Sequence, residues 1–225
     1  MPVNESEIAV MLENGVLSSN MDIGRLVIDT GSPSSLGSNE VISIFGRAIR
    51  LNPSLMGYPW ANIRQSFDFE VAGLLGVDAF SGLTVCLDIG AGFLKVSREA
   101  IDGESVEFAM GSPTVHCSIA NVIQNCIIDT GAKLCYVTDR DLAESGDFSG
   151  IAQDFHPLLG TFEVETFDLG LSLFGYEFVE RVAVAPSSLS SQLTAMGIGA
   201  VIGTNLISRG ILTIDFERHL VAFNL

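Results

Sequence analysis

The sequence predicts an all-β chain built from two matching halves, on three observations. An apolar run ending in Asp-Thr-Gly occurs twice, as Val27-Ile28-Asp29-Thr30-Gly31 and, one hundred residues later, as Ile127-Ile128-Asp129-Thr130-Gly131. Each is followed by an apolar-apolar-Gly segment, Leu74-Leu75-Gly76 and Val201-Ile202-Gly203. A Phe-Gly turn precedes that segment at nearly the same distance in both halves, 30 residues (46 to 76) and 28 residues (175 to 203). Short apolar stretches punctuated by Gly and Asn are the pattern of strands and hairpins. Their repetition in the same order marks an internal duplication.

The elements follow in order. Residues 6–28 read as strand, turn and strand, with Glu13-Asn14-Gly15 as the turn and Arg25-Leu26-Val27-Ile28 climbing to the first Asp. A small-residue loop, Ser32-Pro33-Ser34-Ser35-Leu36-Gly37, leads to a strand pair around Phe45-Gly46. Residues 51–69, with Tyr58 and the single Trp60, read as irregular. Leu74-Leu75-Gly76 then enters a short helix, and residues 83–96 form a hairpin around Gly90-Ala91-Gly92.

The second half repeats this. Residues 114–119 and 122–128 pair around Ala120-Asn121, and residues 171–178 match the Phe45-Gly46 strand pair. Val201-Ile202-Gly203 matches the earlier apolar-apolar-Gly, and residues 212–223 form the last hairpin. The charged, Gly-containing stretch 99–104 reads as the linker, dividing the chain into 1–105 and 106–225. One interval breaks the symmetry: Gly31 to Gly46 is 15 residues, but Gly131 to Gly175 is 44. The insertion carries a polar helix-like part (138–144) and a hairpin-like part (156–167), so only the second half has a loop long enough to fold over a cleft.

Composition excludes some partners. A chain of 225 residues can bury a real core as one large or two small domains. Its net charge is −16, and Lys95 and Lys133 are its only lysines. Such a surface repels phosphates, which argues against nucleic acid and anionic membrane. No apolar run reaches transmembrane length, and residues 1–5 lack a signal-peptide pattern, which favours a cytoplasmic location. The four cysteines have no CxxC spacing. Free buried thiols are the default, and a Cys117–Cys126 bridge across a hairpin stays open. His116, His156 and His219 have no metal or triad spacing and are expected on the surface or in loops. Tyr58 and Trp60 are expected to pack rather than to line a pocket.

In each motif the Asp stands where a buried strand becomes a loop, held on a rigid element and offered to a groove. A lone Asp-Thr-Gly is a weak signal; two, each with its downstream apolar-apolar-Gly, form a strong one. On these residues the chain resembles the aspartic peptidases over nearly its whole length. That superfamily includes single-chain, two-lobed pepsin-like enzymes and homodimeric retropepsins. Each half is similar in size to a retropepsin unit. The resemblance implies two pseudo-two-fold-related acid-protease β-barrel lobes with the active-site cleft between them.

It also implies an endopeptidase with Asp29 and Asp129 as a catalytic dyad. Two carboxyls in contact cannot both ionise, so they share a proton. The charged member activates a water while the other donates to the scissile carbonyl. Thr30 and Thr130 would brace the two loops across the interface. Gly31 and Gly131 would keep the groove open to substrate backbone, and Ser32 would hydrogen-bond Asp29. The implied substrate is a polypeptide with bulky apolar side chains beside the scissile bond. No cofactor and no metal are expected, and a monomer suffices because both aspartates lie in one chain.

Departures from the family pattern give further expectations. The first lobe, 1–105, reads as short and flapless. The candidate flap lies on the second lobe at 158–167, with Leu159, Gly160, Thr161 and Phe162 as its substrate-binding residues, and contains no Tyr. Phe162 is either a subsite wall or a packing residue. Lys133, four residues after Asp129, would lower the dyad pKa values if it pointed at the pair; a solvated lysine is the expectation. The alternative function is a catalytically silent relative of these enzymes that binds a peptide or protein partner.

Overall fold

The computed structural model describes residues 5–156 and 159–225, so Asn4, Pro157 and the first residue of the candidate flap, Leu158, lie outside the described residues. The chain is mostly β, with short helices and 3-10 turns between strands. Residues 6–28 form four strands rather than two: Ser6–Ala9, Met11–Glu13, Val16–Met21 and Gly24–Ile28. The Asn14-Gly15 turn has both φ values positive, 51° and 80°, the backbone that a two-residue hairpin requires.

A six-stranded sheet joins the halves, in the order Ser6–Ala9, Phe93–Ser97, Thr84–Asp88, Ile211–Asp215, Leu220–Asn224, Glu104–Ser105. Its two central strands, one from each half, run antiparallel with Thr84 opposite Asp215 and Asp88 opposite Ile211. The end of the predicted linker therefore has a structural role, since Glu104–Ser105 forms the sheet's edge against Leu220 and Val221. Phe80 stacks on Phe216 at 5.9 Å, in an apolar core that runs continuously through both halves.

The strand before each Asp pairs in parallel with its apolar-apolar-Gly strand. Leu26, Val27 and Ile28 lie beside Gly73, Leu74 and Leu75, and Cys126, Ile127 and Ile128 beside Ala200, Val201 and Ile202. Parallel neighbours need a long crossover, which the rest of each half supplies. The crossovers differ. In the second half, Cys135–Val137, Tyr176–Val184, Gly160–Leu173 and Asp147–His156 extend the sheet, and Ser112–Ile119 pairs with both Val122–Ile128 and Gly160–Leu173, so the sheet returns on itself. Among the described residues, the strands of the first half's crossover are the Val41–Ile44 and Arg47–Arg50 hairpin and a minimal one, Ser54–Leu55 with Tyr58–Pro59.

The repeated Phe-Gly turns have one design. Phe45 (φ 53°) and Phe174 (φ 51°) adopt a left-handed backbone that is unfavourable for a bulky residue. Ring packing offsets that cost: Phe45 lies 5.9 Å from Phe80, and Phe174 lies 6.4 Å from Phe223.

Two helices flank the second half. Arg140–Glu144 falls within the predicted polar stretch and is capped by Asp139, whose carboxylate accepts from the Asp141 (2.9 Å) and Leu142 (3.4 Å) amides. The nine-residue helix Ser187–Ala195 has no counterpart in the sequence reading. The stretch expected to be irregular, 51–69, holds the minimal hairpin and a helical turn at Trp60–Ile63, with Trp60 in the core and Tyr58 exposed. All four cysteines are free. A hydrogen bond with Cys117, together with burial, raises the Cys126 thiol, and burial pushes Cys135 up to about 12, so both rest as unreactive thiols.

Candidate active site

Each Asp leaves its strand with its amide fixed: Asp29 N donates to Leu75 O and Asp129 N to Ile202 O, both at 3.0 Å. The loop that follows is clamped by the next amides, Val77 N to Ser32 O (2.9 Å) and Thr204 N to Ala132 O (2.8 Å). A side chain on Gly76 or Gly203 would collide with that loop, since an added Cβ would lie 2.5 Å from the Ser34 carbonyl carbon or 2.3 Å from Leu134 O. The apolar-apolar-Gly segment accompanies Asp-Thr-Gly because it is the surface on which the Asp loop rests.

The threonines interlock across the halves. Thr30 N donates to Thr130 Oγ1 (2.9 Å), and the Thr130 hydroxyl donates on to Ile28 O (2.9 Å). Reciprocally, Thr130 N donates to Thr30 Oγ1 (3.0 Å), whose hydroxyl donates to Ile128 O (2.9 Å). Both side chains are buried, and the exchange gives four backbone groups hydrogen-bond partners across the two halves.

Asp29 and Asp129 meet above it. Gly31 N (2.9 Å) and Ser32 N (3.0 Å) donate to Asp29 Oδ1, and Gly131 N (2.8 Å) donates to Asp129 Oδ1. Each carboxylate packs on the glycine of the opposite motif: an added Cβ on Gly31 would sit 2.3 Å from Asp129 Cγ, and one on Gly131 would sit 2.5 Å from Asp29 Cγ. The glycines therefore make room for the partner carboxylate, and both also line the cleft. Ser32 hydrogen-bonds Asp29 as expected, through its amide, while its hydroxyl donates to Ser34 O (2.9 Å).

Burial raises both carboxyls above the ordinary range. For Asp29 the Asp129 charge and a hydrogen bond with Asp129 add to burial. For Asp129 the Gly131 amide and the bond from Asp29 pull the other way. Because the two carboxyls act on each other, their apparent pKa values belong to the pair and not to either residue.

The dyad opens into a cleft of about 210 Å³ lined by both halves. The first half contributes Pro33, Leu55 and Met56, so its minimal hairpin reaches the cleft. From the candidate flap, Phe162 lines the cleft and also packs on the apolar cluster around Tyr136 and Val201, combining the two roles left open for it. Gly160 and Thr161 face a second cleft shared with Tyr58 and Asn62 of the first half. Leu159 is exposed at the turn.

Three functional candidates were missed. Tyr136 is buried in the cleft wall and donates from its hydroxyl to Asp154 Oδ2 (2.5 Å); burial and that carboxylate raise its phenol. Asp154 is only 6% exposed and takes a second bond from its neighbour's amide, Phe155 N (2.7 Å). His156, expected on the surface or in a loop, ends the strand Asp147–His156 and lines the cleft. Burial lowers its pKa against the opposing pull of Asp129 and Asp154. Lys133 is neither aimed at the dyad nor free in solvent: its Nζ lies 4.0 Å from Asp154 Oδ1. Among the described residues no three His, Cys, Asp or Glu side chains gather into a metal-binding group, and no helix is long and apolar enough to cross a membrane.

Neither a model of a known protein family nor a curated protein sequence matches this chain.

Proposed function

We propose that the chain is an aspartic endopeptidase of two pseudo-two-fold-related β-barrel lobes, 1–105 and 106–225, with the cleft between them as its active site. The observation that carries this reading is the reciprocal geometry of the two motifs. Two carboxyls, each seated on the other's glycine and braced by interlocked threonines, meet at the base of an open cleft. Peptide hydrolysis without a covalent intermediate needs a base and an acid at one point. In this reading the ionised member takes a proton from a water held between the pair, while the protonated member donates to the scissile carbonyl oxygen. The gem-diol then collapses, the amine leaves with a proton, and the dyad returns to its singly protonated state. The substrate is an extended polypeptide, and one chain supplies both acids. A soluble, cytoplasmic monomer without cofactor is the form the reading assigns.

The test is cleavage of a denatured protein from acid to neutral pH, comparing wild type with Asp29→Asn and Asp129→Asn, each with and without a statine-type inhibitor. Loss of cleavage in both variants supports the shared dyad. Loss in only one would mean that the motifs do not act as a pair. Wild-type protein that binds the inhibitor yet cuts nothing at any pH would assign the chain to peptide binding without turnover.

A further inference from the structure

The cleft is not uniformly apolar. Its second-half wall is built from Ile127, Leu189, Leu193, Met196, Val201 and Phe162, and into that wall is set the buried carboxylate of Asp154. We propose that this part of the cleft is a subsite for a basic side chain of the substrate, arginine or lysine, with Asp154 as its anionic partner. The inference rests on the peptidase reading and names the substrate class that reading leaves open.

The argument starts from the bonds that Asp154 makes. A carboxylate has about four acceptor positions. Tyr136 occupies one on Oδ2 and the Phe155 amide one on Oδ1, leaving a position open on each oxygen. Lys133 balances part of the charge, but at 4.0 Å its ammonium is beyond hydrogen-bonding distance and it remains 29% exposed. A partly satisfied carboxylate in an apolar wall is costly, and a ligand that completes its bonds recovers that cost. Arginine and lysine match both features, with an aliphatic stem for the wall and a charged donor for the carboxylate. An acidic side chain would meet three carboxylates in one cleft, Asp29, Asp129 and Asp154. An apolar one would fill the wall while removing water from Asp154 without replacing its bonds.

Tyr136 donates to Asp154 Oδ2 and so helps to fix the orientation of the carboxylate. His156 lines the same cleft, and burial lowers its pKa against the opposing pull of Asp129 and Asp154.

The test uses statine-containing peptides in which each position flanking the statine is in turn norleucine, arginine or glutamate. Binding is measured by calorimetry near neutral pH, so the readout does not depend on turnover. At one position arginine is expected to bind at least about tenfold more tightly than norleucine, with glutamate weakest. Asp154→Asn should bring the arginine-to-norleucine ratio to about one, and Lys133→Met, which removes the internal counter-charge, should raise it above the wild-type value. Norleucine equal to arginine at every position overturns the subsite while leaving the peptidase reading intact. So does a ratio untouched by Lys133→Met, even if Asp154→Asn fails to fold. No binding by any peptide overturns both.

Discussion

A Cβ added to Gly31 would lie 2.3 Å from Cγ of Asp129 and 2.4 Å from both of its carboxylate oxygens. No real contact is so short, so the Gly of one motif and the Asp of the other specify each other. Gly31→Ala should therefore leave a folded protein whose two carboxyls are displaced by a fraction of an ångström to an ångström. Misplacement on that scale costs catalysis on the order of a hundredfold. Turnover of a peptide substrate at saturation, alongside a far-ultraviolet spectrum, measures this. Wild-type turnover in Gly31→Ala would show that close seating is not what sets the dyad.

The threonine exchange predicts a loss of stability independent of any activity. Thr30→Val keeps the side-chain shape but removes the acceptor for Thr130 N and the donor to Ile128 O. Two buried backbone groups are then unpaired, at a cost of about 2–4 kcal/mol in chemical denaturation. Thr130→Val should cost about the same. The double variant should fall short of the sum, because each hydroxyl bonds the other's amide. Simple additivity would mean that the two threonines are independent caps.

These relationships were legible in the sequence to unequal degrees. Asp29, Asp129 and the two apolar-apolar-Gly segments are spelled out, because a strand feeding a tight loop needs local residue types and the duplication repeats them. The helix Ser187–Ala195 was not legible: its sequence, SSLSSQLTA, presents only Leu189 and Leu193 as apolar residues at helical spacing. Its place comes from docking those leucines on the Ile127–Val201 cluster. Tyr136, Asp154 and His156 carry no motif either. Tyr136 and Asp154 stand eighteen residues apart on different strands, and only their bond joins them. A histidine beside a hairpin turn reads as exposed until the hairpin is known to lean over a cleft.

The dyad itself should work against stability as pH rises. Burial and the mutual charge raise both carboxyls in the folded chain, so above the ordinary Asp value of about 3.9 the folded state holds more protons than the unfolded one. The contribution from this proton binding is complete below that pH and is lost as pH climbs through the raised values. Asn at position 29 can still accept from the Gly31 and Ser32 amides and can donate to Asp129 without a competing charge. Asp29→Asn should thus melt several degrees above wild type at pH 7, with the gap closing towards pH 3. A gap that is constant with pH would indicate that the pair is not strained by like charge.

Asp215 should show the opposite slope. It is fully buried at the end of the central strand of the joining sheet, opposite Thr84. Burial alone would raise its carboxyl. Bonds from the Arg218 amide (2.8 Å), the Arg218 guanidinium (2.9 Å) and the Glu217 amide (3.0 Å) outweigh that and hold it below the ordinary range. Its contribution is therefore present above the unfolded Asp value of about 3.9 and is lost as pH falls through the lowered one. Asp215→Asn should cost about 1–3 kcal/mol at pH 7 and progressively less on acidification, read from urea midpoints at both pH values. The matching turn in the first half provides the control: Asp88 takes a single amide bond, from Ala91 (2.8 Å), and is only half-buried. Asp88→Asn should cost clearly less than Asp215→Asn. Equal costs would mean that strand position in the sheet, and not the bonds that depress the Asp215 carboxyl, sets the loss.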